Sequence, residues 1–298
     1  MTGFLSALGS RLAERWVSLL AVPGLLYTVT AFMAVTFGWL PVGLAGLRSQ
    51  GRARLSEAGV PPSLTSAVSV AFGVGAILLV TAGAGLLAQA VAGPVERACC
   101  GAWPGWARPL EHRLTERRSR RWSRAHERVR AAAPAAGARR PSRDDLVAAR
   151  NAIALVPPGC PTWTGDRLRA VEVRVRNEYG LDLYSCWPRL WLVVPDTVQE
   201  AVRTGRDGFS AAVLTGSWAV LYVALAPFWW PVLAIAAVLC LVAWRRVRTS
   251  AAALADLTEA VFDVHAIDLA AALRVETPHD RVTPEIGRLI TERLRKGT

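Results

Sequence analysis

The stretch FDVHAIDL, residues 262–269, sets Asp263, His265 and Asp268 close together, and these residue types hold metal ions or pass protons. On a helix, however, Asp263 and His265 are two apart and face different ways, so no shared site is expected. His112, His126 and His279 are scattered. The five cysteines, Cys99, Cys100, Cys160, Cys186 and Cys240, form no C-x-x-C pair and are expected to be free thiols packed as small apolar groups. GVGAILL and AGAGLL lie inside an apolar run and lack the third glycine and the Lys-Ser/Thr of phosphate loops. Neither G-x-S-x-G nor H-E-x-x-H occurs. The sequence thus predicts no enzyme, no cofactor and no metal site.

One polar constellation remains. YGLDLYSCWPRLWLVVPDT, residues 179–197, is too short and too charged to span a bilayer, which takes about 20 apolar residues. Trp187 and Trp191 suit a headgroup-level position, and Arg189 suits a phosphate or a partner carboxylate. Tyr179, Asp182, Trp187 and Arg189 are therefore the candidate contacts for a protein partner or lipid, on a membrane-proximal elbow. Asp196, with Gln199 at capping-box spacing, is expected to start the next helix.

The elements around that elbow follow from a segregation of charge and hydrophobicity. The chain of 298 residues is 52% hydrophobic with net charge +12, and nearly all of its basic residues are arginines. Its apolar runs predict a first span of about 20–40 and a second of about 63–94, with Ser63 as N-cap. Residues 209–244 carry no charge but are too long for one crossing, and Pro227 and Pro231 bracket Phe228, Trp229 and Trp230 at the middle. Proline breaks helices and tryptophan favours the interface, so a tight hairpin is expected, 209–226 and 228–244, with a re-entrant hairpin as the alternative.

The predicted fold class is an all-α integral membrane protein with four transmembrane helices and a cytoplasmic helical domain. Its regions are 1–94 with two spans, 95–208 as an Arg-rich helical domain, 209–244 as the hairpin and 245–298 as a helical tail. Arg11, Arg15, Arg97, Arg108, Arg113, Arg189, Arg203, Arg206, Arg245, Arg246 and Arg248 fall on one side, against Arg48, Arg52 and Arg54 on the other. The bias follows the positive-inside rule and places both termini in the cytoplasm.

Within the cytoplasmic part, residues 111–133 predict a basic helix, read as a solvated extension of the second span or as a lipid-headgroup surface. With no aromatic ladder between its arginines, nucleic acid is not an expected partner. Residues 131–141 read as a linker, Ser142 with Asp145 as a helix start, and Pro157-Pro158 as a stop. Leu168, Val171, Val175 and Tyr179 form a one-sided stripe ended by Gly180. Leu254, Leu257, Val261 and Val264 form a short seam that packs on the same chain or pairs two copies into a homo-oligomer.

Residues 162–202, TWTGDRLRAVEVRVRNEYGLDLYSCWPRLWLVVPDTVQEAV, resemble the signature region of a family of uncharacterised bacterial, actinobacterial-type multi-pass membrane proteins. Members pair a "GdrlRA-E…YgLDl…WPRLW…P" segment with a two-span hairpin. Matching positions are Gly165, Asp166, Arg169, Glu172, Tyr179, Asp182, Trp187, Pro188 and Arg189. The resemblance extends to VPGLLY and FDVHAIDLAAAL and implies membrane location, without an activity or cofactor. The expected role is a scaffold, sensor or accessory subunit; the alternative is a small transporter or channel component. That alternative needs a polar path from Thr28, Thr30, Thr36, Ser66, Ser69, Thr81, Gln89, Thr215 and Ser217. No ionisable residue lies in an expected span, which argues against ion coupling.

Overall fold

The structure is a computed structural model that describes residues 22–37, 62–132 and 142–295. The linker arginines Arg48, Arg52 and Arg54 and nearly all of the 131–141 linker lie outside the described residues. Every regular element among them is helical: α1 (Val22–Phe37), α2 (Pro62–Cys100), α3 (Arg108–Ala131), α4 (Arg143–Ile153), α5 (Trp163–Tyr179), α6 (Leu183–Val193), α7 (Asp196–Leu225), α8 (Val232–Ala272) and α9 (Pro284–Arg295), with short 3-10 turns at Gly105–Ala107 and Pro278–Asp280. The side chain of Ser63, the expected N-cap of α2, lies outside the described residues.

The chain divides into two units, residues 1–95 with 213–244 and residues 96–212 with 245–298. In the first, Tyr27 lies edge-on to Tyr222 and tilted against Trp218. Gly24 lets α1 approach α2, since a Cβ there would meet the Thr81 carbonyl oxygen at 2.9 Å. The turn between α7 and α8 falls at Pro227–Pro231, where Phe228 and Trp229 pack inward and Trp230 faces out.

Two described helices, α2 and α7, contain stretches long and apolar enough to cross a membrane. The apolar part of α8 ends at Arg245 and rises only about 20 Å, against a hydrocarbon core of about 30 Å, and the described part of α1 rises about 24 Å. The uncharged tract does divide at its prolines, yet its second arm falls short of a full span by itself.

Among its described residues the second unit has a large apolar core. Val171, Val175, Leu181, Cys186, Leu190, Phe262, Leu269 and Ile290 are all nearly or fully buried in it. The stripe on α5 forms one wall. From the expected seam on α8, Leu254 and Val261 are buried and Leu257 packs on that core, whereas Val264 is exposed. Ser142 and Asp145 form the expected capping box of α4.

Candidate functional site

Gly180 ends α5 in the left-handed region, φ 68°, a conformation that glycine adopts without a side-chain clash. Two residues later Asp182 opens α6. The helix runs with Cys186 and Leu190 toward the core and Tyr184 and Leu192 outward. The 179–197 stretch is therefore a short packed helix between two turns, and its inner face belongs to a protein core.

Each candidate contact residue has a partner within the chain. The Tyr179 hydroxyl donates to Asp263 Oδ1 at 2.8 Å. Burial first, and that bond second, push its pKa up to about 12. Trp187 packs between Trp191 and Phe262, ring centroids 5.7 and 6.0 Å away. Arg189 Nη1 donates to the Ser185 carbonyl at 2.9 Å. The Ser185 hydroxyl donates to Asp182 Oδ2, so Ser185 stands between the two charged candidates, and no direct Asp182–Arg189 pair forms. The guanidinium groups near Asp182 belong to Arg295 at 3.3 Å and Arg176 at 3.7 Å. The Ser185 hydrogen bond chiefly holds the Asp182 carboxyl below the usual range, against its desolvation and helped by Arg295 and Arg176.

Helix α9 closes the elbow. The Asp182 N–H donates to Thr291 Oγ1 at 3.0 Å, and that hydroxyl donates to the Gly180 carbonyl at 3.4 Å. A Cβ on Gly180 would come within 2.1 Å of the Pro284 carbonyl oxygen. The sequence singled out Gly180 as a helix stop. Its second duty, letting α9 approach, had no local signal, and neither had the contacts of Thr291 and Arg295 with Asp182. Gln199 departs from expectation as well. Its amide donates to the Trp191 and Val194 carbonyls at 3.1 Å each, satisfying the end of α6, and the first carbonyl of the next helix comes from Pro195.

A second cluster lies at the other end of α5. Asp166 is 1% exposed, and its Oδ1 accepts from the Gly159 and Cys160 N–H groups at 2.8 Å each. Its Oδ2 accepts from Arg118 Nε and Nη2 at 3.1 and 2.8 Å. Arg118 also donates to the Ile153 carbonyl, and Trp122 Nε1 to that of Ala154. The basic helix α3 is thus bolted to the chain after α4 by one arginine and one tryptophan, which the reading of a solvated or lipid-facing helix overlooked. Gly165 lets α5 abut the end of α2, where a Cβ would lie 2.1 Å from the Cys100 carbonyl oxygen.

The chain matches no family model, no curated protein and no solved structure.

The FDVHAIDL trio divides as the spacing requires. Asp263 bonds Tyr179, while His265 Nδ1 and Asp268 Oδ2 are 2.7 Å apart. No group of three metal-ligating side chains occurs among the described residues. None of the five cysteines is in a disulfide, and burial pushes Cys186 up to about 11 and keeps it a poor nucleophile near neutral pH. In the first unit the hydroxyls turn back on their own helices: Thr28 to Gly24, Thr30 to Leu26 and Ser217 to Val213. Thr28 and Thr81 also share a hydrogen bond of 3.2 Å. The side chains of Thr36, Ser66 and Ser69 lie outside the described residues.

Proposed function

We propose that the chain is a multi-pass α-helical protein of the bacterial inner membrane with both termini in the cytoplasm. It crosses four times, the α7–α8 hairpin supplying the last two crossings, with the short α8 arm accommodated by local bilayer thinning and by Arg245 and Arg246 reaching back to the interface, and acts without enzymatic chemistry as a scaffold or accessory subunit. The carrying observation is the exposure of α2. Only 17% of its apolar window is buried, and Phe72 and Leu79 stand 74% and 76% exposed. Apolar surface on that scale is rare in water and ordinary in lipid. The arginine bias and the family resemblance of residues 162–202 support the same placement.

The scaffold reading draws on how the polar residues of the second unit are spent. Asp166, Asp182, Thr291 and Tyr179 hold helices together, and Arg189 stays half-buried on α6. A partner that docks on this unit meets a rigid surface. Detergent extraction of tagged protein, with Arg189→Ala alongside at equal expression, tests it. A partner retained by wild type and lost by the variant is the expected result; partner-free protein in both sinks the scaffold reading. A C-terminal reporter active only outside the cell is expected to stay silent, and a signal overturns the topology.

A further inference from the structure

The second unit contains a cleft among α5, α6, α7 and α8. Its volume is about 830 Å³, within the roughly 300–1,000 Å³ of small-molecule sites. Leu168, Trp187, Trp191, Val202 and Leu254 give it an apolar wall, which an acyl chain fits and a hydrated solute does not.

Three charged residues of α7 line the same cleft: Arg203, Arg206 and Asp207. Their surroundings differ. Arg206 is paired with Glu96 at 2.7 Å and lies over the Phe209 ring, so its charge is balanced. Arg203 lies over Trp191, 5.6 Å from the ring centroid, on the cleft wall. It pairs with Glu200 at 3.9 Å, both side chains largely exposed, and with the neutral Gln199 Oε1 at 3.4 Å. A pair that loose contributes little and yields to a better anion. Asp207 lines the same cleft and disfavours a doubly charged phosphomonoester more than a phosphodiester, which carries one charge. The helix that carries Arg203 turns uncharged at Phe209 and is one of the two long enough to cross a membrane, so the amphiphile at hand is phospholipid.

We propose that this cleft holds an acyl chain of a monoanionic phospholipid from the surrounding membrane, with the phosphodiester on the Arg203 guanidinium. The proposal rests on the membrane reading above and adds a ligand class to the elbow's Trp187 and Trp191.

The test is native mass spectrometry of the full chain in detergent with equimolar phosphatidylglycerol and phosphatidylcholine. Wild type is expected to retain phosphatidylglycerol over phosphatidylcholine by roughly three-fold, the scale of a partly exposed charge contact. Arg203→Gln, a change at an exposed side chain, is expected to bring the two lipids level. Thr258→Phe, which fills the cleft, is expected to lose both lipids with an unchanged helical spectrum and melting temperature. No preference in wild type, or an undiminished one in Arg203→Gln, overturns the proposal; that variant decides by itself if Thr258→Phe misfolds. Alkaline carbonate extraction separates the two failures. A chain released into solution overturns the membrane reading and this proposal together, whereas a retained chain without lipid preference overturns only the latter.

Discussion

Gly287 on α9 meets the Tyr179 carbonyl so closely that a Cβ there would lie 1.7 Å from the oxygen. No flexible side chain can yield to relieve this, because the obstacle is backbone. The contact sets how near α9 comes to the α5–α6 turn, and hence whether Thr291 reaches Asp182 and Ile290 reaches the core.

Gly287→Ala is expected to push α9 off the elbow and cost about 1–3 kcal/mol, the range for overpacked contacts. Gly208→Ala is the control, since that helical glycine has open space around it. Alanine there is expected to stabilise by about 0.5–1 kcal/mol through helix propensity. Thermal melting in one detergent compares them, and equal shifts of one sign would refute the close-approach argument.

Asp166→Ala leaves the Arg118 guanidinium and two N–H groups without their acceptor. A loss of about 3–5 kcal/mol is expected, as for one-sided removal from a buried ion pair. The double variant Arg118→Met/Asp166→Leu is expected to recover part of it. A double-mutant cycle in denaturant reads the coupling, and additive losses would mean that the two residues act separately.

Asp182 makes the docking of α9 sensitive to acid. Its folded pKa lies below the unfolded value near 3.9, so the contribution is complete above that pH and is lost as pH falls through the folded value. Hydrogen exchange of α9 is expected to accelerate below about pH 4 in wild type. In Asp182→Asn this acid step should vanish, with faster exchange already at pH 7.

Tyr179 gives an alkaline counterpart. Its raised pKa favours the protonated phenol in the folded chain, so that contribution is present below about pH 10 and is lost as pH climbs toward 12. Absorbance titration of phenolate should show a component near pH 12 that Tyr179→Phe removes and Asp263→Asn shifts down. A wild-type Tyr179 component near the ordinary value would place the hydroxyl away from Asp263.

Helix starts, stops and apolar stripes were legible in the sequence because they are local. Ser142 with Asp145, Gly180 after Tyr179, and the prolines around Phe228 each act within a turn or two. The contacts that make the elbow a site are of another kind. Thr291 lies 109 residues from the Asp182 N–H it accepts from, and Arg118 lies 48 from Asp166. No spacing rule connects such positions. Gln199 shows a subtler limit: the residue type at the expected position was right, but its amide caps the preceding helix. Glycines 165 and 287 could be noticed only as helix-interior glycines, whose reason is a neighbouring backbone.

The order of synthesis gives the elbow a waiting time. Asp182 leaves the ribosome 109 residues ahead of Thr291, a gap of roughly 5–20 s at ordinary elongation rates. Throughout it, the socket around Leu181 and Cys186 lacks Ile290, and residues 213–244 emerge before the socket can shut. Closure of the second unit therefore waits for α9 to emerge, and a chain stalled before it displays an open apolar socket to chaperones and proteases.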